Sequence, residues 1–267
     1  MITHKNISLF FIFLLLILNL LNLYTAINFW WFVLIILIWI GINAFGSARI
    51  SSNYHVKAFC NNPSETEKKI ALTFDDGPSI YTLEVLELLR TYNAKATFFC
   101  IGKNIEAHPE ILQKVIDKGH LVGNHSYSHS KFFDFYHEAK ITDELRKTDK
   151  LLEKFTSGKI NFFRPPYGVT TPSIRRALKK TGHKVIGWNI RSLDGGIKDE
   201  KLILNRIKKR VSPGGIVLLH DTAPHSVLVL EQFLQFLQQN NYEVVSVEEL
   251  LKLKAYLTDS DKSNLLD

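Results

Sequence analysis

The hydrophobic pattern divides the chain into two unlike parts. From Ile7 to Gly46 no charged residue occurs, and the first acidic residue is Glu65. A membrane-crossing helix needs ~20 apolar residues, so this run is too long for one simple span. It breaks at Tyr24-Thr25-Ala26-Ile27-Asn28 and leaves two stretches, about 8–23 and 29–45, which read as a transmembrane helical hairpin. The first is short for a full crossing, with re-entrant insertion as its alternative. Trp30 and Trp31 suit an interfacial belt at the start of the second. A cleaved signal peptide fits poorly, because its apolar region spans only ~7–15 residues. Helices of a soluble core would carry polar faces, which these stretches almost lack.

After residue 48 the pattern changes. Residues 48–67 read as a linker, 68–255 as a catalytic domain and 256–267 as a polar tail. Candidate strands are Lys69–Phe74, Lys95–Ile101, His120–Asn124, Asn161–Arg164, Lys184–Asn189, Gly215–Leu219 and Glu243–Val247. Amphipathic helices are expected between most of them, at Leu83–Thr91, Pro109–Lys118, Thr142–Phe155, Pro172–Thr181, Lys201–Arg210 and Val227–Asn240. Apolar strands each followed by a helix imply an α/β fold with a largely parallel, doubly covered sheet.

Polar residues gather just past the ends of successive strands: Asp75-Asp76, His125 with His129, Arg164 through Tyr167, Asp194, and His220-Asp221. An open doubly wound sheet concentrates its site at one switch point, whereas a (β/α) barrel brings all strand ends to one mouth. The expected fold is therefore a barrel of about seven parallel strands, preceded by the hairpin.

Composition changes this picture little. The formal net charge is +7. Charges alternate in sign along Lys140–Lys154 and Lys198–Arg210, which reads as solvated helix faces, and no nucleic-acid partner is expected. Cys100 lies in the apolar run Ala96–Ile101 and is expected as a buried free thiol. Cys60 sits in a polar approach, and a Cys60–Cys100 disulfide is the alternative for a domain outside the cytoplasm. Lys5 on one side of the hairpin and Arg49 with Lys57 on the other favour a cytoplasmic domain by the positive-inside rule. A cell-wall substrate requires the opposite side, and the sequence leaves this conflict open.

The strand ends carry the chemistry. Thr73-Phe74-Asp75-Asp76-Gly77-Pro78 puts two adjacent carboxylates on opposite sides of a strand, so one can hold a metal while the other receives a proton. A capping turn accounts for one aspartate but not for a pair at a buried strand end. Asn124-His125-Ser126-Tyr127-Ser128-His129 spaces two imidazoles four residues apart, so a helical turn or tight loop brings both to one side. With Asp76 they supply three ligands and leave coordination positions open, as in a catalytic metal site. Two histidines and a carboxylate also match a non-haem iron triad, so the residues do not settle the metal. His108, His137, His183 and His225 are expected at the surface. In Phe163-Arg164-Pro165-Pro166-Tyr167-Gly168 the prolines fix the backbone and present Arg164 rigidly, where it would orient a neighbouring carboxylate base. Ile216-Val217-Leu218-Leu219-His220-Asp221 delivers a histidine at a buried strand end, suited to general acid catalysis.

TFDDGP at 73–78, HSYSH at 125–129, RPPYG at 164–168 and LLHD at 218–221 resemble, in order and spacing, the motifs of the polysaccharide deacetylase (NodB-homology) family, also called carbohydrate esterase family four. The resemblance covers about 150 residues and not the hydrophobic spans. It implies a distorted (β/α) barrel and hydrolysis of N-acetyl groups on amino sugars of a polysaccharide. It also implies a divalent metal, usually described as zinc, held by Asp76, His125 and His129. Asp75 would be the general base, paired with Arg164. The Tyr167 N–H would help form the oxyanion site, Leu218 would line the acetate pocket, and His220 would protonate the leaving amine.

One motif departs. The family commonly carries an Asp-x-x-Asp-Trp stretch whose first aspartate supports the acid histidine. This chain reads Arg191-Ser192-Leu193-Asp194-Gly195, with arginine in place of that first aspartate and glycine in place of the tryptophan. A cation beside His220 would weaken it as an acid. Asp194 is expected to take over the support, by pairing with Arg164 or His220; the alternatives are Asp221 in that role or a groove that serves a different substrate. O-acetyl esterase or other amide hydrolase activity, and a non-catalytic glycan-binding protein, are the rival functions on this scaffold.

Overall fold

The computed structural model describes residues 3–258 and Asp261. Helices α1 (His4–Asn22) and α2 (Trp30–Ala48) form an antiparallel hairpin, each of 19 residues and so ~28 Å long. The turn between them falls where the sequence breaks. Both helices are long and apolar enough to cross a membrane, and they expose Leu9, Phe10, Phe13, Leu16, Trp30 and Leu37. With 19 residues α1 is longer than the stretch read from the sequence. The open ends of the hairpin are tied to the rest of the chain. His4 N donates to Tyr54 O and Thr170 N donates to Ser47 O, both at 3.0 Å. Gly46 lies against the Tyr54 ring and leaves no room for a Cβ.

The sheet begins in the stretch read as a linker, with β1 (Ala58–Phe59). It continues with β2 (Lys69–Asp75), α3 (Thr82–Thr91), β3 (Ala96–Cys100), the short α4 (Gly102–Ala107), α5 (Pro109–Asp117) and β4 (Leu121–Asn124). Then come α6 (Glu138–Leu152), β5 (Lys159–Ile160), β6 (Phe162–Phe163), α7 (Pro172–Thr181), β7 (Lys184–Ile186) and β8 (Ile190–Arg191). The chain closes with α8 (Glu200–Lys208), β9 (Gly215–His220), α9 (Pro224–Gln239), β10 (Glu243–Val245), α10 (Val247–Leu251) and β11 (Tyr256–Leu257).

Eight strands run parallel in the order β1-β7-β6-β4-β3-β2-β9-β8, and β10 adds in parallel to the first residues of β2. The segment that pairs with β6 as β7 pairs with β9 as β8 only a few residues later, so the sheet curls back on itself into a distorted barrel. That segment was expected as one strand, Lys184–Asn189. It bends at Gly187, whose carbonyl is taken by Arg164 and whose missing Cβ leaves room for Cys60 Sγ. The covering helices have the ends their residues imply. In α7 the Thr171 hydroxyl accepts from Ile174 N, Pro172 opens the first turn, and Gly182 closes it with φ 82°.

All seven expected strands are present, with shifted ends. Val247, read as strand, instead opens α10, because Ser246 caps it. Tyr256–Leu257, read as the start of a tail, pairs antiparallel with β5; of the rest of that tail, only Thr258 and Asp261 lie among the described residues. Two further expectations change. Cys60 is buried rather than in a polar approach, and both cysteines are free thiols. His183 is buried rather than at the surface, held between Thr181 Oγ1 and Asp149 Oδ1.

Candidate active site

The parallel register sets the site. Asp75 at the end of β2 pairs with His220 at the end of β9, and Cys100 of β3 pairs with Asn124 of β4, one residue before His125. Asp75, Asp76, His125, His129, Tyr167, Leu218 and His220 consequently line one cavity of about 410 Å³ at the barrel mouth, with Trp188 and Arg191 on its wall.

Arg164 is fully buried. Its Nη1 donates to Asp75 Oδ1 at 2.8 Å and to Thr73 Oγ1 at 2.7 Å. Its Nε and Nη2 donate to the carbonyls of Ile186 and Gly187, and the guanidinium lies 4.1 Å from the centre of the Phe99 ring. The planar fork is thus fixed on all sides and holds Asp75 by one oxygen, leaving Oδ2 toward the cavity.

Asp76 Oδ1 lies 3.4 Å from both His125 Nε2 and His129 Nε2. The other ring nitrogen of His125 is occupied by the Arg164 carbonyl at 2.7 Å, which turns Nε2 to the cavity. Burial alone would raise the Asp76 pKa, but the adjacent His125 imidazole and the charges of His125, His129 and His220 take it well below the usual carboxylate range. Asp76 Oδ1 is shielded from solvent and has no hydrogen-bond partner among the described residues. The three ligand atoms lie within 4.8 Å of one another. Atoms at ~2.0–2.1 Å around a tetrahedral ion are about 3.4 Å apart, so this donor set fits a divalent metal.

The two histidines sit on a tight loop, not a helical turn. Ser126 and His129 have φ of 63° and 46°. The loop is clamped from both sides: the first N–H groups of α4 bind the Ser126 and Tyr127 carbonyls, and Glu144 of α6 accepts from Ser128 N and Oγ at 2.8 Å. Asn124 Oδ1 accepts from Ser126 N, while its Nδ2 donates to Asp149 Oδ1 and Leu145 O. Asp76, Tyr167 and Leu193 also take positive φ, at 75°, 58° and 70°. Such backbone is unfavourable for residues with a Cβ, and its concentration here marks a constrained site.

His220 Nδ1 lies 2.7 Å from Asp194 Oδ1, and Asp194 Oδ2 accepts from His220 N and Ser226 Oγ, both at 2.9 Å. Ser192 Oγ donates to Asp194 Oδ1 at 2.5 Å. Burial opposes protonation of His220, but the hydrogen bond and charge of Asp194, with Asp75 and Asp76 beyond, push its pKa up to about 9. Arg191 does not face His220; it is exposed, with its guanidinium 5.7 Å from the Trp188 ring centre. Gly195 lies against the imidazole, where a Cβ would come within 3.3 Å. Asp221 turns away from the cavity and accepts from the Thr82 hydroxyl, and burial raises its pKa to about 7 against that hydrogen bond.

The supporting residues Asn124, Glu144, Asp149, Ser192 and Ser226 were not singled out from the sequence, nor was Asn104, whose Nδ2 donates to the Asp76 carbonyl at 2.6 Å. Asn124 stands directly before His125 and Ser192 two residues before Asp194, so adjacency alone pointed to these two. Glu144 and Asp149 are ordinary members of a charged helix in sequence, and only the packing of α6 under the loop distinguishes them.

The polysaccharide deacetylase family model matches residues 62–186. A Bacillus cereus peptidoglycan-N-acetylglucosamine deacetylase is 34% identical across 70% of this chain and 90% of its own length. The chain belongs to the polysaccharide deacetylase family. The peptidoglycan-N-acetylmuramic acid deacetylase PdaA of Bacillus subtilis is 30% identical over 69% of this chain and 72% of its own length. Among solved structures, the Bc1960 peptidoglycan N-acetylglucosamine deacetylase superposes with a TM-score of 0.68 at 28% identity, covering 75% of this chain and 94% of that one. BA3943 of Bacillus anthracis, described as a pseudoenzyme of the same family, gives a TM-score of 0.64 at 28% identity over 70% of this chain and 66% of its own. The family membership makes this chain a polysaccharide deacetylase, a hydrolase acting on acetylated glycans.

Proposed function

We propose that the protein is a membrane-anchored, metal-dependent deacetylase that removes N-acetyl groups from the amino sugars of peptidoglycan. One observation carries this reading: Asp76, His125 and His129 converge between an arginine-bound carboxylate and an aspartate-bound histidine in a single cavity. The Bacillus cereus and Bacillus subtilis relatives are named as deacetylases of peptidoglycan amino sugars, which supports the substrate class. The hairpin of α1 and α2 supplies the anchor, and the catalytic domain follows from β1 to β11.

A divalent ion held by Asp76, His125 and His129, zinc being the expected one, would polarise the amide carbonyl and lower the pKa of a water molecule. Asp75 Oδ2 takes the proton of the attacking water, while Arg164 holds Oδ1 and fixes the direction of the free lone pair. The oxygen adds to the carbonyl carbon, and the Tyr167 N–H, presented at φ 58°, donates to the developing oxyanion. His220 enters protonated on both nitrogens, with Nδ1–H donated to Asp194, and delivers its Nε2 proton to the nitrogen as the C–N bond breaks. Acetate and a free amine leave. Leu218, buried on the cavity wall, packs against the acetate methyl.

A family neighbour described as a pseudoenzyme makes the rival non-catalytic reading concrete. Here both carboxylates, both imidazoles, the arginine and the supported histidine are all in place, which favours catalysis. The test is incubation of metal-loaded protein with isolated peptidoglycan, following acetate and newly formed primary amine together. Equal release of both supports N-deacetylation. Acetate without amine points to an O-acetyl esterase, and neither product, with glycan still bound, points to a binding protein.

A further inference from the structure

Outside the catalytic cavity, a second space of about 410 Å³ lies where the hairpin meets the domain. One wall is Lys5, Ser8, Leu9 and Ile12 of α1; the other is Pro172, Arg175, Arg176 and Lys179 of α7. Both sets follow i, i+3, i+4, i+7 spacing, so each is one face of its helix and the two faces oppose each other. Along α1 the wall changes from a cation to aliphatic side chains within two turns, ~10 Å. Leu9 and Ile12 are 56% and 46% exposed despite facing this space. The Ser8 hydroxyl on the same stripe is shielded from solvent and has no hydrogen-bond partner among the described residues.

The charge of this slot is uncompensated. Arg176 is paired with Glu138, as is Lys180, but no carboxylate pairs with Lys5, Arg175 or Lys179 among the described residues. The field of Arg175 reaches the joint itself. Burial, the His4 ring and the Arg175 guanidinium together push the His55 pKa down to about 4. The joint is also fixed, because His4 N binds Tyr54 O and Ser47 Oγ lies 2.9 Å from His55 Nε2. Cations at the open end of an apolar hairpin and aliphatic residues deeper along it repeat the order of charge and hydrocarbon in one leaflet of a bilayer.

We infer that the slot between α1 and α7 binds an anionic phospholipid, with the headgroup phosphate on Lys5, Arg175 and Lys179 and the acyl chains along Leu9 and Ile12. This rests on reading the hairpin as a membrane anchor. The bound lipid holds α7 against the membrane surface and so fixes how the domain stands on its anchor.

The full-length protein in detergent would be examined by native mass spectrometry with added phosphatidylglycerol or phosphatidylcholine. Wild type should retain phosphatidylglycerol in preference, and the triple variant Lys5→Gln, Arg175→Gln, Lys179→Gln should lose that preference by roughly tenfold. Its activity on soluble oligosaccharide should be unchanged, because none of the three lines the catalytic cavity. Equal retention of the two lipids by wild type, or an unchanged preference in the variant, overturns the inference. Complete displacement of the lipid by inorganic phosphate also overturns it, since the slot would then be a plain anion site. Carbonate-resistant flotation of wild type with pure phosphatidylcholine vesicles tests the anchor separately; failure there refutes the membrane reading itself.

Discussion

Asp194 grips His220 twice, at Nδ1 through Oδ1 at 2.7 Å and at the backbone N–H through Oδ2 at 2.9 Å. The carboxylate cannot turn without losing both bonds, so the imidazole is fixed in orientation and in tautomer. Residue 191 cannot serve in its place. It pairs with Leu218 in the β8–β9 ladder, and its exposed side chain lies on the cavity wall over the Trp188 ring. The left-handed turn at Leu193 then brings Asp194 back beneath the histidine. An arginine at position 191 is tolerated because it meets solvent and the Trp188 ring rather than the acid.

Replacing Asp194 by asparagine removes the main force that raises the His220 pKa, while burial continues to lower it. The alkaline limb of the kcat profile should fall from about 9 in wild type to or below the ordinary histidine value of ~6.5. Arg191→Ala should keep the wild-type limb. The same raised pKa contributes stability in full below ~6.5, lost as pH rises through about 9. Severe loss in Arg191→Ala beside an unaffected Asp194→Asn would reverse the assignment.

The strand ends were legible in the sequence because each couples a buried apolar run to polar residues that a core cannot hold unpaired. That coupling is strong at Thr73–Asp76 and Leu218–His220, and it carried the barrel and most of the site. It fails where the backbone, not the side-chain pattern, decides. Nothing in Lys184–Asn189 shows that the strand bends at Gly187 to receive the Arg164 guanidinium. The roles of Asp149 and His183 were equally hidden, since their burial depends on α6 and β7 coming together beneath the histidine loop.

Asp75→Asn preserves the shape and the Arg164 contact but cannot accept a proton. Turnover should drop by ~10²-fold or more with divalent metal still bound, the usual range for losing a general base. Near-normal deacetylation by metal-replete Asp75→Asn would remove Asp75 from this role.

Arg164→Ala should be damaging through stability as well as rate. It leaves the buried Asp75 without its ion pair and the Ile186 and Gly187 carbonyls without donors. Breaking such a pair costs ~3–5 kcal/mol. Denaturant unfolding of the variant against wild type measures this loss, and a difference below 1 kcal/mol would contradict the account.

Asp76→Ala, His125→Ala and His129→Ala should each lose bound divalent metal, since each would remove one of the three described residues whose donor atoms could hold it. Circular dichroism should remain that of wild type in His129→Ala, whose side chain lies at the cavity rather than in the core. Elemental analysis showing full occupancy in all three variants would mean that the ion binds elsewhere.

The hairpin provides a final test, because the described ties between its helices and the domain lie toward its open ends. Removing residues 1–47 deletes the Ser47 carbonyl that accepts from Thr170 N and uncovers the Tyr54 ring packed on Gly46. It spares Ile50, which is buried with Ile174 and Val185 under β7. Five hydrogen bonds go with the hairpin: His4 N to Tyr54 O, Thr170 N to Ser47 O, Ser52 Oγ to Gly46 O, Tyr54 Oη to Asn43 Oδ1, and the Ser47 Oγ–His55 Nε2 contact. At ~0.5–1.5 kcal/mol each they are worth about 3–7 kcal/mol, and at ~2–4 °C per kcal/mol for a domain of this size the truncated protein should melt roughly ten degrees lower or more. None of the deleted residues lines the catalytic cavity, so activity on soluble N-acetylglucosamine oligomers should stay within a few-fold of the full chain. Activity on vesicle-bound or wall-bound substrate should fall much further, because the proposed membrane anchor is gone. A folded, metal-loaded truncation that is inactive on soluble oligomers would show instead that the hairpin shapes the site.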